Sequence, residues 1–157
     1  MEGVILNELS SGYFTNMKSV FNDMGNIQKE YNWLITDFEC NHYPSNDIQS
    51  NDEYIFMEGN LLSEILDKYD IQFIWGVFSG FKKNITLENI LKEPLPFADG
   101  NRELWNAQVK IQHYLADIEI ISWDSSLLLL KTKQKQLLDN FIKHNPKSKD
   151  LREYNLR

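Results

Sequence analysis

The chain has 157 residues, of which 42% are hydrophobic and 25% are charged, and this is the size and composition of one globular domain. Its 16 basic and 23 acidic residues give a net charge of -7 and a pI near 4.9. This balance argues against binding to duplex nucleic acid or to an anionic membrane. The 13% of aromatic residues exclude a disordered chain.

The cysteine content and the first residues bear on the cellular compartment. Cys40 is the only cysteine, which excludes an internal disulfide framework and a zinc site built from several thiolates. The first eight residues include two acidic residues, no basic residue and only a three-residue apolar run, unlike a secretory signal peptide. We therefore expect a cytoplasmic protein.

The first half of the chain alternates apolar segments of strand and helix character. Apolar residues recur at helical spacing in two segments, and aromatic and β-branched residues concentrate in three shorter ones. A polar loop over 40–53 separates two of the strands. The patterns predict a strand over 4–9, a helix over 13–24, strands over 31–39 and 54–58, and a helix of about ten residues after an N-cap at Asn60.

The second half begins with a segment over 71–81 that is apolar on both alternating faces, as in a central strand, with Gly76 and Gly80 suggesting a bulge or bend. Further along, the apolar phase of 109–123 shifts near Tyr114 to Asp117, which predicts a strand with a bend. The remaining predictions are a helix from the Thr86 cap to Leu91, a strand over 127–132, a helix over 134–144 and a basic, polar tail over 147–157.

The resulting order, β-α-β-β-α-β-α-β-β-α, predicts an α+β fold that forms a single domain over 1–157. Hairpin-like neighbours mix with helical crossovers in this order, which favours one mixed, mainly antiparallel sheet packed by three to four helices in two layers. A doubly wound parallel fold would need regular alternation of strands and helices. The segments over 33–58 and 109–132 do not show that alternation.

One segment gathers groups that could do chemistry. The run from Asp37 to His42 holds two carboxylates, the Cys40 thiol and an imidazole, so a metal site or a Cys–His pair can be imagined. The spacing matches no ligand pattern, and the acidic neighbours would raise the pKa of a nucleophilic thiol. We interpret the segment as a surface loop. The chain also lacks a phosphate-binding loop, a dinucleotide fingerprint and a nucleophile elbow, so we expect no cofactor, no metal and no catalytic residue.

His113 is the one histidine predicted to face the core, since it shares its strand phase with Val109, Ile111 and Leu115. A buried histidine with hydrogen-bond partners is the usual occupant of such a position. A general base must be oriented by a second group, and the spacing places no Asp beside this ring. A small enzyme that uses His113 with a neighbouring Asp stays open as an alternative.

Charge is distributed unevenly along the chain. Residues 1–70 hold 13 acidic and 3 basic side chains, whereas residues 71–157 hold 10 acidic and 13 basic ones. An acidic field of this kind steers a basic macromolecule, and aromatic residues among the acids suit a protein interface. A face that only confers solubility is the other interpretation. The candidate partner-binding residues are Asp37, Glu39, Tyr43, Asp47, Asp52, Glu53, Tyr54 and Glu58.

The last 60 residues or so carry a resemblance to a known group of proteins. Its residues are the run IISWDSSLLLL at 120–130, LLDNF at 137–141, PKSKDLREYN at 146–155, ADGN at 98–101 and Trp105. These segments resemble small acidic bacterial immunity proteins of polymorphic-toxin and contact-dependent-inhibition systems. The resemblance implies a cytoplasmic binding protein that occludes a toxin domain and performs no catalysis, and it assigns no role to an individual residue.

Charge and resemblance together lead to the hypothesis of an immunity protein that neutralises a basic, nuclease-type toxin domain by covering it with an acidic surface. The expected partner is a protein, with no nucleic acid and no membrane. A cytoplasmic regulatory or scaffold protein that binds another partner through the same face is the alternative. An exposed sheet edge would also allow a homodimer.

Overall fold

A computed structural model describes residues 2–9, 13–48 and 53–157. Within these residues, seven strands form one sheet in the order β3-β2-β4-β5-β6-β1-β7, with every neighbouring pair antiparallel. The strands are β1 (Glu2–Leu6), β2 (Tyr31–Cys40), β3 (Tyr54–Glu58), β4 (Phe73–Lys82), β5 (Ile118–Trp123), β6 (Leu127–Thr132) and β7 (Lys149–Asp150). The helices are α1 (Met17–Asp23), α2 (Gly59–Lys68), α3 (Leu87–Ile90), α4 (Lys135–His144) and α5 (Leu151–Asn155).

The α+β class and the mainly antiparallel sheet are confirmed, and the predicted order of elements holds as far as α4. Beyond it, the tail adds β7 and α5, so the described residues contain five helices instead of three to four. Asp150 caps α5 by accepting a hydrogen bond from the Glu153 backbone. Leu151, at 0% exposure, anchors α5 in the core. A single buried residue leaves little apolar periodicity, which is why the sequence did not indicate this helix.

The sheet is covered on both faces, so the predicted two-layer arrangement is not what the structure contains. On one face, buried residues of α1, α2 and α4 form a core cluster with alternate residues of the strands, including Trp33 and Phe78. On the other face, Val77 and Phe81 pack under the segment over 83–117 and under α5. Central strands that are apolar on both sides need cover on both sides.

Residues 109–117 belong to that covering segment and form no strand, which corrects the prediction of a strand over 109–123. The strand β5 begins at Ile118. Ile111, His113 and Ala116 are buried because every second or third side chain of the covering segment reaches down onto the sheet. This burial gives a loop the alternation expected of a strand, and it explains the mistaken prediction.

A buried ion pair fixes the covering segment to the sheet. Glu119 and Lys131 are opposite each other on β5 and β6, with 2.6 Å between Lys131 Nζ and Glu119 Oε1. The other carboxylate oxygen accepts the Gln112 backbone N–H at 2.9 Å, and the ammonium donates to the Lys110 carbonyl at 2.9 Å. Charged groups of this kind need full satisfaction when buried, and here the covering segment supplies it.

The pairing of β2 with β4 is irregular between Thr36 and Cys40. Asp37 lies within this irregular stretch with a left-handed backbone, at φ 47°, a conformation that Asp tolerates better than most residues. A bulge re-aims the side chains of the strand that carries it. Gly76, flagged in the sequence, lies opposite this stretch, between Trp75 and Val77, which pair with β2 on either side of it.

Candidate functional site: an acidic and aromatic groove

An open groove of about 640 Å³ lies where the irregular end of β2 meets the covering segment. It brings together three of the predicted binding residues, Asp37, Tyr43 and Glu53, two of which are carboxylates. We call it the acidic–aromatic groove. Its lining residues are Thr36, Asp37, Phe38, Tyr43, Glu53, Leu95, Pro96 and Phe97.

Asp37 is held in place by the backbone of the covering segment. Its Oδ2 atom accepts hydrogen bonds from the backbone N–H groups of Ala98 at 2.7 Å and Asp99 at 2.9 Å. The buried hydroxyl of Thr36 donates to the Pro96 carbonyl at 2.7 Å and fastens the same segment. Among the described residues, no hydrogen bond engages the second carboxylate oxygen, Oδ1. The carboxylate is therefore both oriented and able to accept another donor.

Aromatic side chains form the walls of the groove. Phe38 and Tyr43 stack with ring centroids 6.1 Å apart and an interplanar angle of 15°, and the Tyr43 hydroxyl donates to the Ile48 carbonyl. Phe97 leaves 48% of its surface exposed although its backbone is fixed on both sides. Its N–H donates to Gln112 Oε1 at 3.0 Å, and its carbonyl accepts from Asn101 Nδ2 at 3.0 Å. The ring is thus an exposed apolar surface on an ordered support.

Two of the predicted residues lie outside the groove as structural groups. Asp47 accepts hydrogen bonds from Lys68 Nζ at 2.8 Å and from the Tyr69 hydroxyl. The bond from the Lys68 ammonium, and then that from Tyr69, holds the pKa of Asp47 below its ordinary value. Tyr54 is half-buried and packs against the core cluster that contains Leu34 and Phe81.

Two further predicted residues, Glu39 and Glu58, are acids on the surface. Glu39 is exposed on β2 opposite Trp75. Glu58 is exposed at the N-cap position of α2, where its side chain makes no capping hydrogen bond. Asp52 lies outside the described residues.

The sequence did not point to Leu95, Pro96 and Phe97, which complete the groove. They lie beside Asp37, which is about 60 positions earlier in the chain, because Asp37 accepts hydrogen bonds from the backbone that directly follows them. The available signal was the sequence Pro94-Leu95-Pro96-Phe97, in which two prolines restrict the backbone around an apolar residue. That pattern does not predict where the Phe97 side chain points, so the sequence indicated only an irregular connection between elements.

Several exposed carboxylates lie outside the groove in the first half of the chain. Within the described residues, the acids without an ion pair between residues 30 and 64 include Glu30, Glu39, Glu58 and Glu64. Lys68 pairs with Asp47, and Lys18 pairs with Asp67 at 3.0 Å. Residues 1–70 hold 13 acids and 3 cations, and Glu8 pairs with Lys149 of the second half, so this half of the chain keeps an excess of negative charge.

In the structure, Asp37, Cys40 and His42 each contact different groups. Cys40 Sγ lies 3.3 Å from the His42 carbonyl oxygen, to which it donates, while the His42 ring packs against Tyr69. Burial raises the pKa of the Cys40 thiol, and the Glu39 carboxylate raises it further. A thiol with a raised pKa is a poor nucleophile. In the part of the chain that the structure describes, no cluster of three or more His, Cys, Asp or Glu side chains is arranged to hold a metal.

His113 is buried with both ring nitrogens engaged. Nε2 lies 2.9 Å from the Ile90 carbonyl, and Nδ1 accepts the Leu115 backbone N–H at 3.2 Å. These partners require the neutral tautomer with the proton on Nε2. The ring also meets Phe81 edge-on, with centroids 4.9 Å apart. Neither nitrogen is left to act as a base unless one of these hydrogen bonds breaks.

No protein-family model, no curated protein and no solved structure matches the chain. Among the described residues, the helices fall short of the length and apolar character that a membrane span requires.

Proposed function

We propose that the protein is an immunity-type inhibitor, which acts in the cytoplasm by binding a basic toxin domain through its acidic half and occluding it. The observation that carries this proposal is the acidic–aromatic groove, in which Asp37 and the Phe97 backbone are held by hydrogen bonds and Glu53 lines the same groove. Oriented charge beside exposed aromatic surface is the composition of a protein interface.

The charge distribution supports a basic partner. Uncompensated carboxylates on β2, β3 and α2 lie in the half of the chain that has a net charge of -10. A field of one sign accelerates association with a partner of the opposite sign and makes the association rate sensitive to salt. Many nucleic-acid-cleaving domains are basic because they bind phosphates, and an acidic protein surface can occupy such a cleft.

The test is capture of the partner followed by an assay of its activity. Affinity-tagged protein is incubated with lysate and culture medium of the native host, and bound proteins are eluted with a salt gradient and identified by mass spectrometry. We expect an equimolar basic protein whose expression alone arrests growth and whose effect disappears on co-expression with this chain. A captured protein that is acidic, or whose toxicity persists on co-expression, would contradict the proposal, as would recovery of only a self-associated dimer.

Matched charge-reversal variants locate the binding face. Glu39→Lys, Glu58→Lys and Glu64→Lys together change three exposed acids that make no ion pair in the described residues. The control reverses Glu88, Asp139 and Glu153, three exposed acids of the second half. We expect the first variant to weaken binding of the captured protein by at least about tenfold at low salt, with little change for the control. Equal effects of the two variants would place the interface elsewhere.

A further inference from the structure

We propose that a second cavity, of about 340 Å³, binds a small uncharged amide whose carbonyl oxygen accepts hydrogen bonds from the Lys131 ammonium and the Gln112 side chain. The cavity lies where the covering segment meets Lys131 of β6, and we call it the Lys131 cavity. None of the candidate partner-binding residues lines it. The inference therefore goes beyond the proposed function and does not depend on it.

The Lys131 cavity is lined by buried side chains of both polar and apolar kinds. Asn101, Leu104, Ile111 and Lys131 line it, and each leaves 7% or less of its surface exposed. Small-molecule sites have volumes of about 300 Å³ or more and combine apolar walls with a few fixed polar groups. The cavity has this size and this composition.

Lys131 has one N–H group without an acceptor. Its Nζ atom donates to the Lys110 carbonyl at 2.9 Å and to Glu119 Oε1 at 2.6 Å. An ammonium has three N–H groups, and among the described residues no third hydrogen bond engages it. A buried donor without an acceptor costs free energy, so an oxygen atom of a ligand that accepts this bond gains binding free energy.

The side-chain amide of Gln112 adds a second donor. Its Oε1 atom accepts the Phe97 backbone N–H and an N–H of Asn101 Nδ2, each at 3.0 Å. Because the Phe97 N–H can only donate, these bonds fix which end of the amide is oxygen. The Nε2 atom is buried and has no hydrogen-bond partner in the described part of the chain. Neighbouring atoms cover it, so binding requires a small movement of side chains, as is common at binding sites.

The charges around the cavity favour a ligand without net charge. The Glu119 carboxylate compensates the Lys131 ammonium in a buried ion pair. The exposed charged residues that line the cavity, Glu103 and Lys110, have opposite signs. An anion would therefore lose its hydration without meeting an uncompensated cation.

An amide matches the hydrogen-bonding groups that remain. Its carbonyl oxygen has two lone pairs, one for the Lys131 ammonium and one for Gln112 Nε2. Its own N–H can donate to Glu103, since Asn106 occupies only the Oε2 atom of that carboxylate. Leu104 and Ile111 supply apolar surface for the rest of the ligand.

The direct test is a titration of the isotopically labelled protein with benzamide, a small uncharged amide with an apolar ring, followed by proton–nitrogen correlation NMR. We expect saturable shifts of the Gln112 side-chain amide signals and of the backbone N–H signals of Asn101 and Ile111, which line the cavity. Aniline, which lacks the carbonyl oxygen, and benzoate, which is charged, should each bind at least about tenfold more weakly. Equal binding of aniline, tighter binding of benzoate, or no saturable shift, as for a cavity that holds only ordered water, would overturn the inference.

Variants test the donor and the cavity separately. Gln112→Glu keeps an oxygen acceptor for the Phe97 and Asn101 N–H groups but removes the Nε2 donor, so benzamide binding should weaken by about tenfold. Gln108→Trp introduces a bulky ring at an exposed position that lines the cavity. It should block binding without disturbing the fold, and it decides the matter if Gln112→Glu does not fold.

The matched control is Gln136→Trp, which changes an exposed glutamine on α4 outside the cavity and should leave benzamide binding unchanged. Binding that Gln108→Trp leaves at the level of the parent, or that both Trp variants weaken equally, would reject the Lys131 cavity as the site. No captured toxin is needed for these measurements, so their failure and the failure of the proposed function are distinguishable.

Discussion

Asp37 and Glu119 are both carboxylates on inner strands of the sheet, and both bind the backbone of the same covering segment. Glu119 is fully buried, with one oxygen on Lys131 and the other on the Gln112 N–H. Asp37 is exposed, and one of its oxygens takes both hydrogen bonds from the covering segment. The two carboxylates differ in the hydrogen-bonding capacity that is left over. Both oxygens of Glu119 have partners, whereas the Oδ1 atom of Asp37 has no hydrogen bond among the described residues and can accept one from another molecule.

The comparison separates two uses of charge in one small domain. At Glu119, the covering segment seals an ion pair into the interior, so the charges help to hold the fold. At Asp37, the same segment orients a carboxylate and adds Phe97 beside it, so the charge can act on a molecule outside. We therefore expect substitutions at the two centres to differ in what they damage.

Lys131→Met should have the largest effect on stability. It removes the cation and leaves the Glu119 carboxylate at 0% exposure without its partner, which costs about 3–5 kcal/mol of the free energy of unfolding. Urea denaturation followed by circular dichroism measures this loss. The double variant Glu119→Gln/Lys131→Met should recover part of it, because neither charge is then buried alone. A single variant as stable as the parent would show that the pair does not support the fold.

Asp37→Ala should have a smaller effect on stability. The substitution removes the acceptor of two backbone N–H groups, but the site is exposed and water can replace part of the lost bonding, so we expect a loss of about 1–2 kcal/mol. Asp37→Asn should lose less because it keeps an acceptor. The same denaturation experiment checks both variants, and an Asn variant that is as unstable as the Ala variant would contradict this account of Asp37.

The pH dependence of the Asp47–Lys68 pair should be the smallest effect. The Lys68 ammonium lowers the pKa of Asp47 in the folded state, so the pair stabilises the fold above the ordinary Asp pKa of about 4. This contribution is lost as the pH falls through the lowered pKa of the folded state. In urea denaturation at pH 6 and pH 2, the difference in stability between the parent and Lys68→Met should shrink at the lower pH. A difference that grows with acid would reverse the assigned sign.

The strands β3 and β6 could be predicted from sequence because their apolar patterns are local and strong. The segments over 54–58 and 127–132 have the predicted bounds. Residues 109–117 show why a pattern can mislead, since a loop that lies on a sheet buries its side chains at similar intervals. Helix α5 was missed because a turn held by the Asp150 cap and buried Leu151 needs no long apolar stripe.

The candidate site could be predicted only in part, for a similar reason. Acidic and aromatic composition indicated Asp37, Tyr43 and Glu53, and the structure brings these three residues into one groove. Composition did not show that Asp47 is tied to Lys68, nor that Phe97 reaches the same place. Both depend on contacts between residues that are distant in the sequence, and periodicity carries no information about such contacts.

The most direct test of the central claim measures stability and binding on one variant that carries Glu39→Lys, Glu58→Lys and Glu64→Lys. If these exposed acids serve a partner, the free energy of unfolding should stay within about 0.5 kcal/mol of the parent, while affinity for the captured basic protein should fall by at least about tenfold at low salt. A variant that loses stability but keeps its affinity would contradict the account, because its acidic half would then serve the fold.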